Sequence, residues 1–429
     1  MPILDENSMG MIAKFVSRGL KAEFKLIEVE KHKELVKETI REKDVEIYVH
    51  YPFCRSICQL CPYFRSIYRE DFHEKYMKAL IREVEEYRKL IDFNILGVHI
   101  GGGTPSLMRP EDFKVLMNLL DNPKDAGIEA NPNDLTDFNY VSAIRSVGIT
   151  EISIGVQSFS DRALKALGRI HSSEDAERAI LNAKKVGFDN INIDLMFLTP
   201  GEKFDEWKMT LEKAVELDVD QITAYPTLIA EHVKPRAKNI EQKVNLFDEY
   251  VLFTDEFLRE HGYKRVRIES WSKKGNYATV NLEMEGPLIA FGSGAIGFTG
   301  GYEYVNIMNV HKYIRKVKES GFGASHGKIV SEEERLIRVA MDKLYFGRLD
   351  EAHIKQKLGK SFKDFPMWLK MMLLFLRARG YIKKENNAYI MLDKALPLMH
   401  KIIWTFVLKI PCRIVMKGIL YQNKDFVIP

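Results

Sequence analysis

Glu46-Ile-Tyr-Val-His50 runs into Tyr51-Pro-Phe-Cys54-Arg-Ser-Ile-Cys58-Gln-Leu-Cys61. The first stretch alternates like a strand, and three cysteines fall within the eight residues from 54 to 61. Packed thiolates on a loop at a strand end are metal-ligand chemistry rather than core packing. Iron–sulfur clusters are usually held by four cysteines. A C-x3-C-x2-C run holding a [4Fe–4S] cube leaves one iron open to a small molecule. The alternative is a structural zinc site with His50 or His73 as fourth ligand. Zinc sites more often pair C-x2-C with a second pair further on. The remaining cysteine, Cys412, stands alone in an apolar stretch and reads as a buried thiol.

The spacing resembles that of radical S-adenosylmethionine (SAM) enzymes. That resemblance implies that the open iron chelates the amino and carboxylate groups of SAM. One electron, from a reductase or a ferredoxin- or flavodoxin-type donor, then splits the sulfonium to methionine and a 5′-deoxyadenosyl radical. The cofactor carries that step, while the protein binds, orients and excludes water.

Strand and helix patterns alternate over residues 43–270. The expected strands are Glu46–His50, Ile95–Ile100, Gly127–Ala130, Glu151–Gly155, Asn190–Leu195, Gln221–Tyr225 and Tyr263–Ile268. Helical patterns lie between them at Asp71–Ile91, Pro110–Leu120, Asp175–Val186 and Phe204–Leu217. Such repetition makes an α/β protein with a parallel sheet, open or curled into a partial barrel. Chemistry in such folds gathers at the carboxyl ends of strands, where the cysteine loop sits.

Polar residues mark further strand ends. Gly101-Gly102-Gly103-Thr104-Pro105 follows one strand, and its glycines let backbone approach a ligand. Glu129, Gln157, Arg169 and Asp194 fall at or just beyond others. A buried charge costs several kcal/mol unless paired, so their convergence is best explained by a polar ligand.

Read together, Tyr48-Val-His-Tyr-Pro-Phe-Cys54, Gly101–Pro105, Glu129-Ala-Asn-Pro132, Gly155-Val-Gln-Ser158, Gly168-Arg-Ile-His171 and Asp194-Leu resemble the oxygen-independent coproporphyrinogen III oxidase family. The resemblance is strong over about residues 46–200. It implies a partial (β/α)6 TIM-like radical SAM barrel over 43–324; residues 1–42 read, from their charge and pattern, as an N-terminal helical extension. The resemblance also implies a [4Fe–4S] cluster on Cys54, Cys58 and Cys61 and two SAM molecules. Tyr48, Gly102 and Glu129 would hold the cluster-bound SAM; Gly103, Thr104, Gln157, Arg169 and Asp194 would line the second. Alternation places His50 on the same strand face as Tyr48, and these two are the candidate catalytic residues.

The sequence departs from the family at informative points. The oxidases carry a fourth cysteine where Tyr63 stands, and Leu60 replaces an aromatic that usually covers the adenine. The haem-chaperone branch carries His-Asn-x-x-Tyr-Trp, to which Val280-Asn-Leu-Glu-Met-Glu285 is the nearest match. The usual Asp-Leu-x-x-Gly-Leu-Pro-Gly reads Asp194-Leu-Met-Phe-Leu-Thr-Pro-Gly201. These absences favour a third branch, in which the second SAM donates a methyl group to an sp2 carbon of an aromatic or quinone-like substrate. Tetrapyrrole chemistry, as an oxidase or haem-modifying enzyme, and haem chaperoning are the alternatives.

Residues 325–429 read as a mostly helical, winged-helix-like domain, with helices Leu349–Leu358 and Pro366–Arg379 and a hairpin Tyr381–Ile390. The second helix, Met367-Trp-Leu-Lys-Met-Met-Leu-Leu-Phe375, suits a core rather than a nucleic-acid reader. A net charge of +4 also gives no reason to expect nucleic acid. From Lys394 to Lys424 the tail carries six Lys or Arg and no acid among apolar residues. Such a segment can lie peripherally on an anionic membrane or pack as a last helix. No signal peptide and no uncharged run near 18 residues is found. With three cysteines committed to one loop, a cytoplasmic location is expected.

Overall fold

The structure is a computed structural model that describes residues 22–58, 60–61, 64–227, 244–275, 286–402 and 426–428. Tyr63, Val280–Glu285, Cys412 and most of the basic tail lie outside those residues. The strands used below are β1 (Ala22–Leu26), β2 (Asp44–Tyr51), β3 (Asn94–Gly102), β4 (Asp125–Ala130), β5 (Glu151–Gln157), β6 (Asn190–Phe197) and β7 (Gln221–Pro226). They continue as β8 (Lys264–Arg267), β9 (Ser270–Ser272), β10 (Leu288–Phe291), β11 (Ile296–Phe298), β12 (Tyr302–Asn306) and β13 (Ala324–Ile329).

All thirteen belong to one sheet of fourteen strands, ordered β8-β9-β7-β6-β5-β4-β3-β2-β10-β11-β12-β13-β1, with Phe426–Ile428 at the far edge. From β7 to β10 every neighbouring pair is parallel. Parallel pairing follows from the helices that cross between strands: Glu70–Leu90, Pro110–Leu119, Ser173–Val186 and Phe204–Glu216. Each lies within a residue or two of its sequence-based position. Ser172 starts the third of these with the expected cap, its hydroxyl accepting the Asp175 amide at 3.1 Å.

Alternation decides what each strand shows to either side. On β2, Val45, Ile47, Val49 and Tyr51 are fully buried in the main hydrophobic cluster. The other face carries Glu46, Tyr48 and His50, and the Tyr48 hydroxyl lies 3.0 Å from His50 Nδ1. One face therefore packs under the helices, while the other is left for chemistry at its carboxyl end.

The N-terminal extension is not wholly helical. Its described part is strand β1, antiparallel to β13, followed by helix Val29–Thr39. The exposed charges of Glu23 and Lys25 conceal this strand, in which Phe24 between them is buried. Past β13, helix Glu332–Tyr345 leads to a three-stranded sheet of Arg348–Asp350, Ala388–Met391 and Ile382–Glu385. Its hairpin turns at Asn386 and Asn387, both with positive φ (43° and 60°), as a tight two-residue turn requires. Helix Met367–Ala378 buries Leu369, Met372, Leu373 and Leu376, the core role its composition suggests.

A buried carboxylate ties the helical layer to the antiparallel half of the sheet. Glu83 accepts from the amides of Gly292 (2.8 Å) and Gly323 (2.8 Å), from Asn306 Nδ2 (3.0 Å) and from the Tyr313 hydroxyl (2.6 Å). Burial pushes its carboxyl up to about 7, and these four donors restrain the rise. The folded state thus holds a proton that the unfolded chain releases near pH 4.5, so this group's contribution declines as pH rises from there through 7. Replacing Glu83 by Ala strands four buried donors. Urea unfolding at neutral pH is expected to show a loss of roughly 3–5 kcal/mol, with a flatter pH dependence than the native chain.

Candidate functional site

The cysteine loop leaves β2 at its carboxyl end and is pinned at both sides. A two-residue bridge pairs Phe53–Cys54 with Ser66–Ile67. Between them Arg65 clamps the loop, donating from Nη1 to the Cys61 carbonyl and from Nη2 to the Cys58 carbonyl, both at 3.0 Å. Cys54, Cys58 and Cys61 line one small cavity with Thr104, Asn131 and Arg169. Two donors address the sulfurs: the Thr104 hydroxyl reaches Cys54 at 3.3 Å and Arg169 Nη1 reaches Cys58 at 3.6 Å.

This donor set fits an iron–sulfur cluster. Three thiols face one space, and hydrogen bonds to sulfur are how proteins temper a cluster's negative charge. Among the described residues, no three His, Cys, Asp or Glu side chains, the three cysteines included, are grouped tightly enough to hold one ion by themselves. His73 and His50 do not line the cavities that hold the cysteines. His73 instead contacts the Tyr51 hydroxyl (2.7 Å) and Asp112 (3.1 Å). Burial pushes the Cys54 thiol up to about 11 although Thr104 pulls it down, so metal loading there displaces a proton.

A second cavity, of about 270 Å³, opens from Cys58 and Cys61 across the strand ends. Gly102, Gly103, Thr104, Glu129, Gln157, Arg169 and Asp194 all line it. Tyr48 and His50 are not on its wall but behind it. His50 Nε2 lies 3.3 Å from the Phe64 carbonyl, and burial pulls this imidazole down to about 4, so it is neutral at pH 7.

Glycines shape the wall by what they leave out. Gly102 has φ +114°, and a Cβ there would meet the His50 ring at 2.6 Å. In this conformation its N–H reaches Glu129 Oε2 at 3.0 Å. A Cβ on Gly155 would stand 2.9 Å from Gln157 Nε2 and 3.0 Å from Arg169 Nη2. Arg169 Nη2 donates to the Gly155 carbonyl (2.9 Å) and to Asn131 Oδ1 (3.1 Å). Gln157 itself takes φ +68° after a register slip in β5, strain of the kind stored beside working sites.

The two carboxylates face opposite conditions. Burial favours protonation of Glu129, but His99, at 3.4 Å, and the Gly102 amide outweigh it and hold the carboxyl below its usual range. Asp194 is bonded by Ser153 (3.2 Å) and Asn192 (3.0 Å), yet burial and the nearby Glu129 charge push it up to about 6. One is an anion at neutral pH; the other stands close to a proton.

Several neighbours escape a reading of the sequence. His99, Asn131, Ser153 and Tyr225 reach the site only because parallel pairing sets their strands side by side. Arg65 carries a weak signal, a cation four residues beyond Cys61. The altered Asp194–Gly201 motif has a structural consequence: Leu198 stands where the family has glycine and is forced to φ +56°. Buried Glu202 holds it there by accepting its amide at 2.6 Å. Leu198 also belongs to the buried hydrophobic cluster, so Leu198→Gly is expected to lower stability by roughly 1–3 kcal/mol in chemical denaturation, relief of strain offsetting only part of the lost packing. Gly102→Ala should also lower stability, because the new methyl group meets the His50 ring.

Comparison with known proteins places this geometry. Residues 48–214 match the Radical SAM superfamily. The heme chaperone HemW of Bacillus subtilis is 27% identical over 384 residues, covering 84% of this chain and 98% of its own. The oxygen-independent coproporphyrinogen III oxidase of Salmonella typhimurium is 23% identical, covering 76% of this chain and 77% of its own. The structure of coproporphyrinogen III oxidase (HemN) from Escherichia coli superposes with a TM-score of 0.75 over 89% of this chain and 94% of that one, at 22% identity. The preference for methyl transfer drawn from the sequence gains no support from these relatives. It rested on motifs missing at Tyr63 and Val280–Glu285, and similarity along most of the chain outweighs two local absences. The chain carries a radical SAM domain, which implies a [4Fe–4S] cluster and SAM, and its homologues are the HemW and coproporphyrinogen III oxidase proteins.

Proposed function

We propose that this protein applies radical SAM chemistry to a tetrapyrrole of the porphyrinogen class. The observation that carries the reading is the cavity running from Cys58 and Cys61 to Glu129, Arg169 and Asp194. A ligand seated on those polar groups lies directly against the sulfur end, and relatives spanning most of the chain are named for porphyrin or heme chemistry.

Cys54, Cys58 and Cys61 would hold the cluster, and Glu129 and Gly102 the amino-acid end of SAM. When bound, these cofactors supply a 5′-deoxyadenosyl radical. The chain's own work is positioning and exclusion of water. Ionised Glu129 is matched to an ammonium group, a charge-assisted pairing strengthened by burial. Asp194, bonded by Ser153 and Asn192, is suited to a ribose hydroxyl. Gly103, Thr104, Gln157 and Arg169 would complete a seat for a second SAM. Tyr48 and His50 would act from behind the wall, holding the Gly102 turn. An electron donor of the ferredoxin or flavodoxin type would serve the cluster.

A second reading, haem carriage without turnover, is favoured by the near-complete coverage of the HemW relative. One set of experiments separates them. Protein reconstituted anaerobically with iron and sulfide, reduced with dithionite and given SAM and coproporphyrinogen III, should form 5′-deoxyadenosine and methionine as porphyrinogen is consumed. A stoichiometric Soret shift on adding haem, with no porphyrinogen consumed, would move the assignment to haem carriage. Zinc in place of iron would overturn both. Glu129→Gln is expected to weaken SAM binding about 10- to 100-fold, the worth of a hydrogen bond to a charged group, measured by SAM titration of the reduced protein.

A further inference from the structure

His99 belongs to no motif discussed above and stands behind the cavity wall, yet it touches Glu129, which lines it. It lies on β3 facing the same side as Gly101 and is almost wholly buried. Its ring is stacked on Tyr48, centroids 6.0 Å apart and planes 15° apart. Nε2 stands 3.4 Å from Glu129 Oε1, while the other carboxylate oxygen, Oε2, takes the Gly102 amide at 3.0 Å. Because an ionised carboxylate only accepts, the proton of that contact is on His99 Nε2.

Two contacts on two oxygens do what one cannot. Held by Gly102 alone, the Glu129 carboxylate can turn about that hydrogen bond. A donor on the second oxygen fixes its plane and its direction into the cavity. Gly101 makes the contact possible: a Cβ there would stand 2.9 Å from Glu129 Oε1 and 3.2 Å from His99 Nε2. His99 is itself braced, since Tyr48 stacks on it, the Tyr48 hydroxyl meets His50, and His50 packs against Gly102. The chain of contacts closes on the residue whose amide holds Glu129.

We infer that His99 is a positioning residue for Glu129, and that Gly101 is small so that the two side chains can meet. The inference deepens the proposed function and rests on Glu129 seating the SAM ammonium. Preorganisation of this kind matters because a carboxylate already aimed loses little freedom when the ammonium arrives.

Two substitutions separate positioning from mere filling of the interior. His99→Phe keeps a planar ring against Tyr48 and removes the donor. His99→Gln keeps a donor and removes the ring. In reconstituted, reduced protein, the SAM concentration giving half of the SAM-induced change in the cluster's paramagnetic spectrum is the readout, with iron content and melting temperature measured alongside. His99→Phe is expected to raise that concentration about tenfold, equivalent to about 1.4 kcal/mol, at unchanged iron content. His99→Gln should stay within about threefold of the native chain, and Gly101→Ala should behave like His99→Phe. A native response from His99→Phe, or a larger defect in His99→Gln than in His99→Phe, overturns the inference. A native cluster whose spectrum ignores SAM overturns the functional reading itself and the inference with it, an outcome distinct from any ranking of the variants.

Discussion

A negative charge on the cavity wall organises this site. Glu129 stands at the end of β4, where burial alone would protonate it, and two donors from the adjoining β3 keep it ionised instead. Parallel pairing makes that possible: β3 and β4 run side by side in register, His99 opposite Gly127 and Ile100 opposite Ile128. The ends of the two strands then converge on one carboxylate. Without that convergence Glu129 would be a partly desolvated acid with little to offset it; with it, an anion faces a cavity whose other end is sulfur.

Backbone conformation carries as much of the design as side chains do. Gly102 must take φ +114° to aim its amide, and it has no room for a methyl group beside His50. Gln157 and Leu198 adopt positive φ without being glycine, each at the carboxyl end of a strand. Gln157 lines the cavity, while Leu198 is held in place by Glu202. Strain of this sort persists only where the surroundings over-determine it. Here Glu202 and the β5 register slip do so.

The contrast between Glu129 and Asp194 follows from the same packing. Their charges repel across the cavity, and only Glu129 has a histidine and a fixed amide to offset its burial. Asp194 has Ser153 and Asn192, weaker compensation for an equally buried group. Two carboxylates of like chemistry thus present one firm anion and one that takes up a proton near pH 6 to whatever occupies the space between them.

Much of this was legible in the chain itself. Three cysteines at a strand end, the glycine run and the alternation of β2 are local patterns, set by thiol chemistry, by missing side chains and by the two-residue period of a strand. Together with polar residues at further strand ends and the family resemblance, they pointed to Gly102, Gly103, Thr104, Glu129, Gln157, Arg169 and Asp194, which line the cavity. The branch of chemistry was not legible there, because it was argued from motifs that are missing, and an absence says little about the rest of a surface. Only the tertiary structure showed that Tyr48 and His50 brace the wall from behind, that Arg65 clamps the cysteine loop, and that His99 meets Glu129. Those contacts join residues up to 51 positions apart, as for Tyr48 and His99, which face one another across a parallel ladder. No local pattern encodes such a meeting, since strand order and register emerge only when the whole sheet assembles.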